Sequence, residues 1–290
     1  LFLFGAAHGG MDVTMNAWGA EVERRSERPM MSSFHAMFSV GAGLGAASGF
    51  VAASFQTSVL AHFFVATVTV TVVTMAFASI AWTSERTMDQ RRRTVFAVPK
   101  GPLFFVGFVA FCASLGEGAM VDWSAIFLIS VASVSEATAA LGYSVFSAAM
   151  VAMRFAGDRI VRHYGSVLSA RIGGAVSAAG SLLAVTSGTA PAVFGGFTLM
   201  GLGYAVIMPL AFSRAANDPD IPPGAALAGV ATLGYGGLLL GPPLIGFAAE
   251  ATSLRIAFLI LSALSIAIIL IAPALRQTSE KGSGQAAAPT

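Results

Sequence analysis

Residues Val59 to Trp82 read VLAHFFVATVTVTVVTMAFASIAW, an unbroken run without a charged side chain. A helix rises about 1.5 Å per residue, so a run of this length crosses the roughly 30 Å hydrocarbon core of a bilayer. The stretch that follows, Thr83 to Gly101, carries Arg86, Arg91, Arg92, Arg93 and Lys100. An uncharged run closed by clustered cations is the pattern of a membrane pass that ends on the cytoplasmic side.

Working outward, eight more predominantly apolar runs of spanning length can be marked: Leu1 to Gly19, Ser33 to Ser54, Pro102 to Ile129, Ala139 to Ala156, Val167 to Val185, Pro191 to Phe212, Ala225 to Ala249 and Leu254 to Leu275. The cations test this division. Arg24, Arg25 and Arg28 follow the first span, the five cations above follow the third, and Arg154, Arg159, Arg162 and Arg171 gather after the fifth. Arg214 follows the seventh, and Arg276 and Lys281 follow the ninth, leaving Arg255 alone on the opposite side. A missed or invented span would scramble that alternation. An all-α integral membrane protein with nine transmembrane helices is expected, with a cytoplasmic C-terminus. The start Leu1-Phe2-Leu3-Phe4 already lies in apolar sequence, so the chain reads as a fragment lacking its true N-terminus.

Composition agrees. Of 290 residues 56% are hydrophobic and only 10% charged, against about a quarter charged in soluble domains. The mean hydropathy is +0.79. Net charge of +2 is too small and scattered for nucleic acid, despite a pI near 9.0. The one cysteine, Cys112, sits in an apolar run and supplies neither a disulfide nor a Cys-ligated zinc site.

Three groups of residues could carry function. His8, Asp12 and Asn16 recur every four positions, forming one polar stripe inside the first span. An intramembrane carboxylate is costly and by default marks a transport pathway; the bland reading is an interhelical hydrogen-bond cluster. Glu117 and Asp122 lie in the fourth span, about 140° apart on a helix, so they do not form one acid pair. Glu117 is the deeper, while Asp122 and Trp123 are expected to cap or anchor the outer end. The run Arg154-Phe155-Ala156-Gly157-Asp158-Arg159-Ile160-Val161-Arg162 reads as an inner loop serving as a conformational latch, in which Asp158 caps a helix and pairs with arginine. Gly241, Pro242 and Pro243 interrupt the eighth span as a hinge, and Gly41, Gly45 and Gly49 predict close helix packing. His35 is expected to make an interfacial hydrogen bond.

Several chemistries are excluded or disfavoured. Neither Lys100 nor Lys281 completes a P-loop, and the histidines are too widely spaced for an H-E-x-x-H motif. Ser48 and His62 are the one tempting nucleophile and base, without an orienting third group. No cofactor or metal is expected, and the chain is not read as an enzyme.

The order of these features resembles the major facilitator superfamily of secondary transporters. Gly157-Asp158-Arg159 with Arg162 is similar to its signature loop, with Val161 where the second glycine would stand. Asp12-Val13-Thr14-Met15-Asn16-Ala17 followed by Arg28-Pro29-Met30-Met31 resembles the junction of helices four and five in the fucose-permease-like branch. The resemblance implies a fragment of a twelve-helix, two-bundle fold: 1–82 as three helices of the first bundle, 83–101 as a cytoplasmic linker, 102–275 as the second bundle and 276–290 as a disordered tail. It also implies that helices four, seven and ten border a central cavity, which adds Tyr204 to the pathway residues. The expected activity is alternating-access transport of a small polar, sugar-like solute with protons, by a monomer in the cytoplasmic membrane. Asp12 would be the proton-linked carboxylate, tuned by burial and by His8. Efflux of amphipathic compounds and a non-transporting receptor are the alternatives.

Overall fold

The computed structural model describes residues 2–80, 83, 99–139 and 141–277. Most of the expected linker, with Arg86 and Arg91 to Arg93, and the tail with Lys281 lie outside the described residues. All regular structure among the described residues is helical. In chain order it comprises α1 (Phe2–Ser26), α2 (Met31–Ser54), α3 (Val59–Ala78), α4 (Pro102–Ala132), α5 (Glu136–Ala139) and α6 (Leu141–Ser187). Then come α7 (Ala190–Tyr204), α8 (Ile207–Ala216), α9 (Pro223–Ala251), α10 (Leu254–Ala257) and α11 (Leu259–Ile271), closed by a final 3-10 turn.

Helix starts follow local chemistry. Ser58 accepts a hydrogen bond from the Ala61 amide at 3.2 Å to cap α3, and Ser253 does the same for Ile256 at 3.2 Å. Pro102 and Pro223 occupy first-turn positions, where their missing N–H costs nothing. Pro209 explains the break between α7 and α8: its nitrogen cannot donate to the carbonyl four residues back, and the helix is interrupted at Ala205 and Val206.

Six helical segments are long and apolar enough to cross a membrane, among the described residues. The expected loop between the fifth and sixth runs is itself helical and is absorbed into α6, whose 47 residues are broken at Gly165 with φ 74° and ψ 166°. That left-handed backbone favours glycine, so the last position of the signature-like loop is where the chain bends. α1 falls outside the six because His8, Asp12 and Asn16 lower its hydropathy.

The core lies almost entirely in 103–275, where Phe127, Phe146, Phe197, Tyr204 and Phe258 are fully buried and the Phe127 and Phe258 rings meet at 4.3 Å. No residue of α3 is buried. The small-residue packing expected at Gly41 and Gly45 is not found, since a side chain at either would meet nothing within 4 Å. It occurs between the second half of α6 and α7 instead. A Cβ on Gly203 would lie 2.1 Å from Ser177 Oγ and 2.4 Å from the Gly173 carbonyl, and Gly180 and Gly196 meet in the same way at 2.5 Å. Gly203→Ala should cost about 1–3 kcal/mol through overpacking, read as a lower melting temperature in detergent, whereas Gly45→Ala should leave it unchanged.

Candidate functional site

Alternation of the helices brings distant chain positions together at one end of the molecule. The Asp158 carboxylate, nine-tenths buried at the middle of α6, accepts from the Ser32 amide at 2.9 Å, the Ser33 amide at 2.9 Å and the Ser33 hydroxyl. It therefore caps the N-terminus of α2, where backbone donors are unpaired and the helix dipole favours an anion. Gly157 permits the approach, since a Cβ there would lie 2.6 Å from Ser32 Oγ. Glu23 at the end of α1 accepts from the amides of Met30 (2.8 Å) and Met31 (3.0 Å) and from the hydroxyl of Ser213 in α8. Arg24 reaches the Ala216 carbonyl and the Asn217 side chain at 3.4 Å each, Arg25 the Thr83 carbonyl at 2.9 Å, and Gln277 the Ser213 hydroxyl at 3.2 Å. These contacts surround a recess of 570 Å³ whose lining includes Arg28 and Arg162. Arg159 and Arg162 are exposed, and Asp158 spends its oxygens on α2 rather than on an arginine.

Arg154 departs from the expected latch. One turn before Asp158 and only 8% exposed, it donates from Nη1 to Ser39 Oγ of α2 at 2.7 Å. Its Nη2 stands 3.7 Å from Glu117 Oε2 of α4. Arg154 therefore joins Glu117 in a polar cluster inside the helix assembly. His35, one turn before Ser39, stacks against Phe212 at 5.7 Å, and its Nε2 is buried without a hydrogen-bond partner, so the expected interfacial bond is absent.

The first-span stripe is graded. His8 is exposed, Asp12 is half-buried and Asn16 is only 3% exposed. Asn16 donates from Nδ2 to the Asp12 backbone oxygen at 2.9 Å and to its Oδ1 at 3.1 Å. Across the interface, Tyr235 of α9 lies within electrostatic reach of Asp12. Nothing in its apolar, glycine-rich surroundings marked Tyr235 in the sequence.

The other expected residues lie elsewhere. Tyr204 is fully buried inside the 102–275 helices, its hydroxyl 2.9 Å from Ser265 Oγ and wedged against Gly116, so it is a packing residue rather than a lining one. Asp122 is exposed, while Trp123 donates from Nε1 to the Pro242 carbonyl at 3.0 Å. Gly241, Pro242 and Pro243 lie within a continuous α9, with Gly241 packed on the Leu115 carbonyl. Ser48 and His62 do meet at 3.2 Å, yet Ser48 gives its only hydrogen to the Gly45 carbonyl at 2.7 Å. His62 then acts as donor to Ser48, the reverse of what a general base needs. Among the described residues no cluster of three potential metal ligands occurs.

An all-helical assembly of apolar spans, with carboxylates buried between helices and one end laced by polar contacts, defines a multi-pass membrane protein. The profile of the Major Facilitator Superfamily matches residues 1–220, and the chain belongs to that family. An uncharacterized transporter of Sinorhizobium fredii, y4wD, is 47% identical over 277 residues, covering 96% of this chain and 74% of that protein. An MFS-type transporter of Yersinia pestis is 37% identical over 258 residues, covering 89% and 67%. Membrane protein MosC of Rhizobium meliloti is 30% identical over 273 residues, covering 92% and 65%. Among solved structures, the E. coli fucose:proton symporter FucP superposes with a TM-score of 0.64 at 14% identity. That superposition covers 75% of this chain and 55% of FucP, so the chain spans about half of that relative's length.

Proposed function

We propose that the protein is a secondary active transporter of a small polar, sugar-like solute, driven by protons through alternating access. The observation that carries this is the Asp12 carboxylate, half-buried in α1 and within electrostatic reach of Tyr235 of α9, on two helices that the proposed bundle division assigns to opposite halves. A titratable group at such an interface can tie proton occupancy to which side is open. FucP, the fold neighbour, is a symporter of fucose and protons.

On this reading 1–82 belongs to the first bundle, 83–101 is the linker and 102–275 is the second bundle. The chain crosses the membrane nine times. α6 makes two of those passes, since 47 residues of helix would extend about 70 Å and the Gly165 break allows a turn. The end gathering Arg24, Arg25, Arg28 and Arg162 faces the cytoplasm of the inner membrane, together with Gln277. The conformation is then the one sealed on the cytoplasmic side by Asp158 and Glu23.

The test is reconstitution of the full-length protein, with its upstream residues, in proteoliposomes given an inward proton gradient. Labelled fucose, other neutral sugars and sugar acids are offered. Concentrative uptake that collapses with a protonophore is expected; uptake indifferent to the protonophore, or no flux of any probe, overturns the reading.

A further inference from the structure

Arg154 uses little of its capacity for an arginine withdrawn from water. A guanidinium carries five N–H donors. Here Nη1 is engaged by Ser39 at 2.7 Å, Nε has no partner, and Nη2 meets Glu117 only at 3.7 Å, beyond hydrogen-bond range. Nε and Nη2 form one edge of the planar group, the edge that grips a carboxylate side-on through two parallel bonds. That edge is unfilled. His35 Nε2 is a second orphan, buried without a partner among the described residues, within electrostatic reach of Arg154 and on the same face of α2 as Ser39. Buried polar atoms are almost always satisfied, so two unsatisfied ones in one cluster ask for a missing acceptor. The cluster is also reachable, because the Glu117 side chain is 24% exposed and Tyr143, in electrostatic contact with both Glu117 and Arg154, is 41% exposed.

We infer that the Nε–Nη2 edge of Arg154, in the cluster that also holds His35 Nε2, binds a carboxylate on the transported solute, which makes that solute a hydroxylated acid rather than a neutral sugar. The inference rests on the transporter reading and narrows its substrate class. Ser39 and Glu117 hold the guanidinium in place while the site is empty. Glu117 stands where the incoming carboxylate would repel it, and the long 3.7 Å separation is a contact that yields. The Phe212 ring packs against His35 at 5.7 Å with a 31° tilt and restrains the imidazole.

The experiment is calorimetric titration of the purified full-length protein with gluconate and galacturonate against the neutral sorbitol and fucose. The acids should bind at least about tenfold more tightly than their neutral counterparts, and Arg154→Gln should erase that difference. Glu117→Gln carries the test even where the arginine variant does not fold. Removing the competing carboxylate should tighten acid binding about tenfold, whereas an ion pair that only holds helices together predicts lower thermal stability and no tighter binding. Neutral compounds bound as well as acids, Glu117→Gln without tightening, or no acid binding at millimolar concentration each overturn the site. Fucose uptake without acid binding sinks this site and leaves the transporter standing; acid binding without flux of any probe does the reverse.

Discussion

Asp12→Asn in the full-length protein should abolish proton-driven accumulation while leaving solute exchange across the membrane. The substitution keeps the shape of the side chain, and its amide oxygen can still accept from Asn16 Nδ2, now 3.1 Å from Asp12 Oδ1. What it removes is the ability to take and release a proton. A gradient of one pH unit supplies about 1.4 kcal/mol per proton, enough for a tenfold concentration ratio at one proton per solute. Wild type should approach that ratio and the variant should stop at equality. The contrast is measured as steady-state uptake alongside counterflow of preloaded label. Accumulation at wild-type levels would remove Asp12 from the coupling step. Tyr235→Phe is the companion variant: it removes a phenol hydroxyl within electrostatic reach of Asp12 without touching the carboxylate's charge, and should slow transport without abolishing accumulation.

Most of the fold was legible because the bilayer imposes it. In lipid, backbone polar groups must be satisfied within the segment, so long uncharged runs become helices whatever their detailed sequence. The starts at Val59 and Pro102 fell where the sequence placed them, each marked by a capping serine or a first-turn proline. Less legible was what happens between spans. The run from Arg154 to Gly165 looks like a loop in composition, rich in charge and closed by glycine, but its residues also form good helix and only Gly165 leaves it. The glycines mislead in a similar way. Gly41 and Gly45 have the spacing of a packing stripe and no close neighbour among the described residues, while Gly173, Gly180, Gly196 and Gly203, seven apart within each helix, lie close against the backbone of the facing helix. Spacing says that a face is smooth; it does not say which helix will lie against it.

The site was legible where a residue is expensive and obscure where it is cheap. Asp12, Asn16 and Glu117 stand out because a polar group in an apolar span must find a partner. Ser39, Tyr235 and His35 are tolerated in any span, and only the neighbouring helix shows what they do. Arg154 carried a signal that could have been read: it lies inside the run Ala139 to Ala156, and an arginine within a span calls for a carboxylate at matching depth. Glu117 is that carboxylate. Tyr204 failed for the opposite reason, since its chain position suits a cavity wall while its aromatic ring suits the space left by Gly116, and packing won.

Asp158→Ala should open the sealed end. The carboxylate holds three donors of α2, two of them backbone amides at 2.9 Å beside a Ser32 that is only 2% exposed. Alanine would leave those donors buried and unpaired and remove a charge from the positive end of a helix. Charge-assisted bonds of this kind contribute about 1.5–3 kcal/mol each, and water recovers part of the loss, so a net cost of about 2–4 kcal/mol is reasonable. Because α6 and α2 belong to different proposed bundles, the cost falls on the conformation in which they touch and not on the one in which they part. The equilibrium should therefore move by roughly 30-fold to 1,000-fold toward the opened state. These 290 residues hold a single cysteine, the buried Cys112, so a full-length background with Cys112 and every upstream cysteine replaced by alanine allows one reporter. Leu210→Cys is suitable: Leu210 lines the recess, yet is only 4% exposed. Its alkylation by an impermeant maleimide in inside-out vesicles should accelerate at least tenfold with Asp158→Ala and less with Asp158→Asn, which retains one acceptor oxygen. Gly157→Leu should act in the same direction by a different force, since even its Cβ would lie 2.6 Å from Ser32 Oγ and push the helices apart without altering charge. Agreement between a charge deletion and a steric wedge would locate the effect at the α6–α2 contact; an unchanged alkylation rate in both would mean that this contact does not govern access.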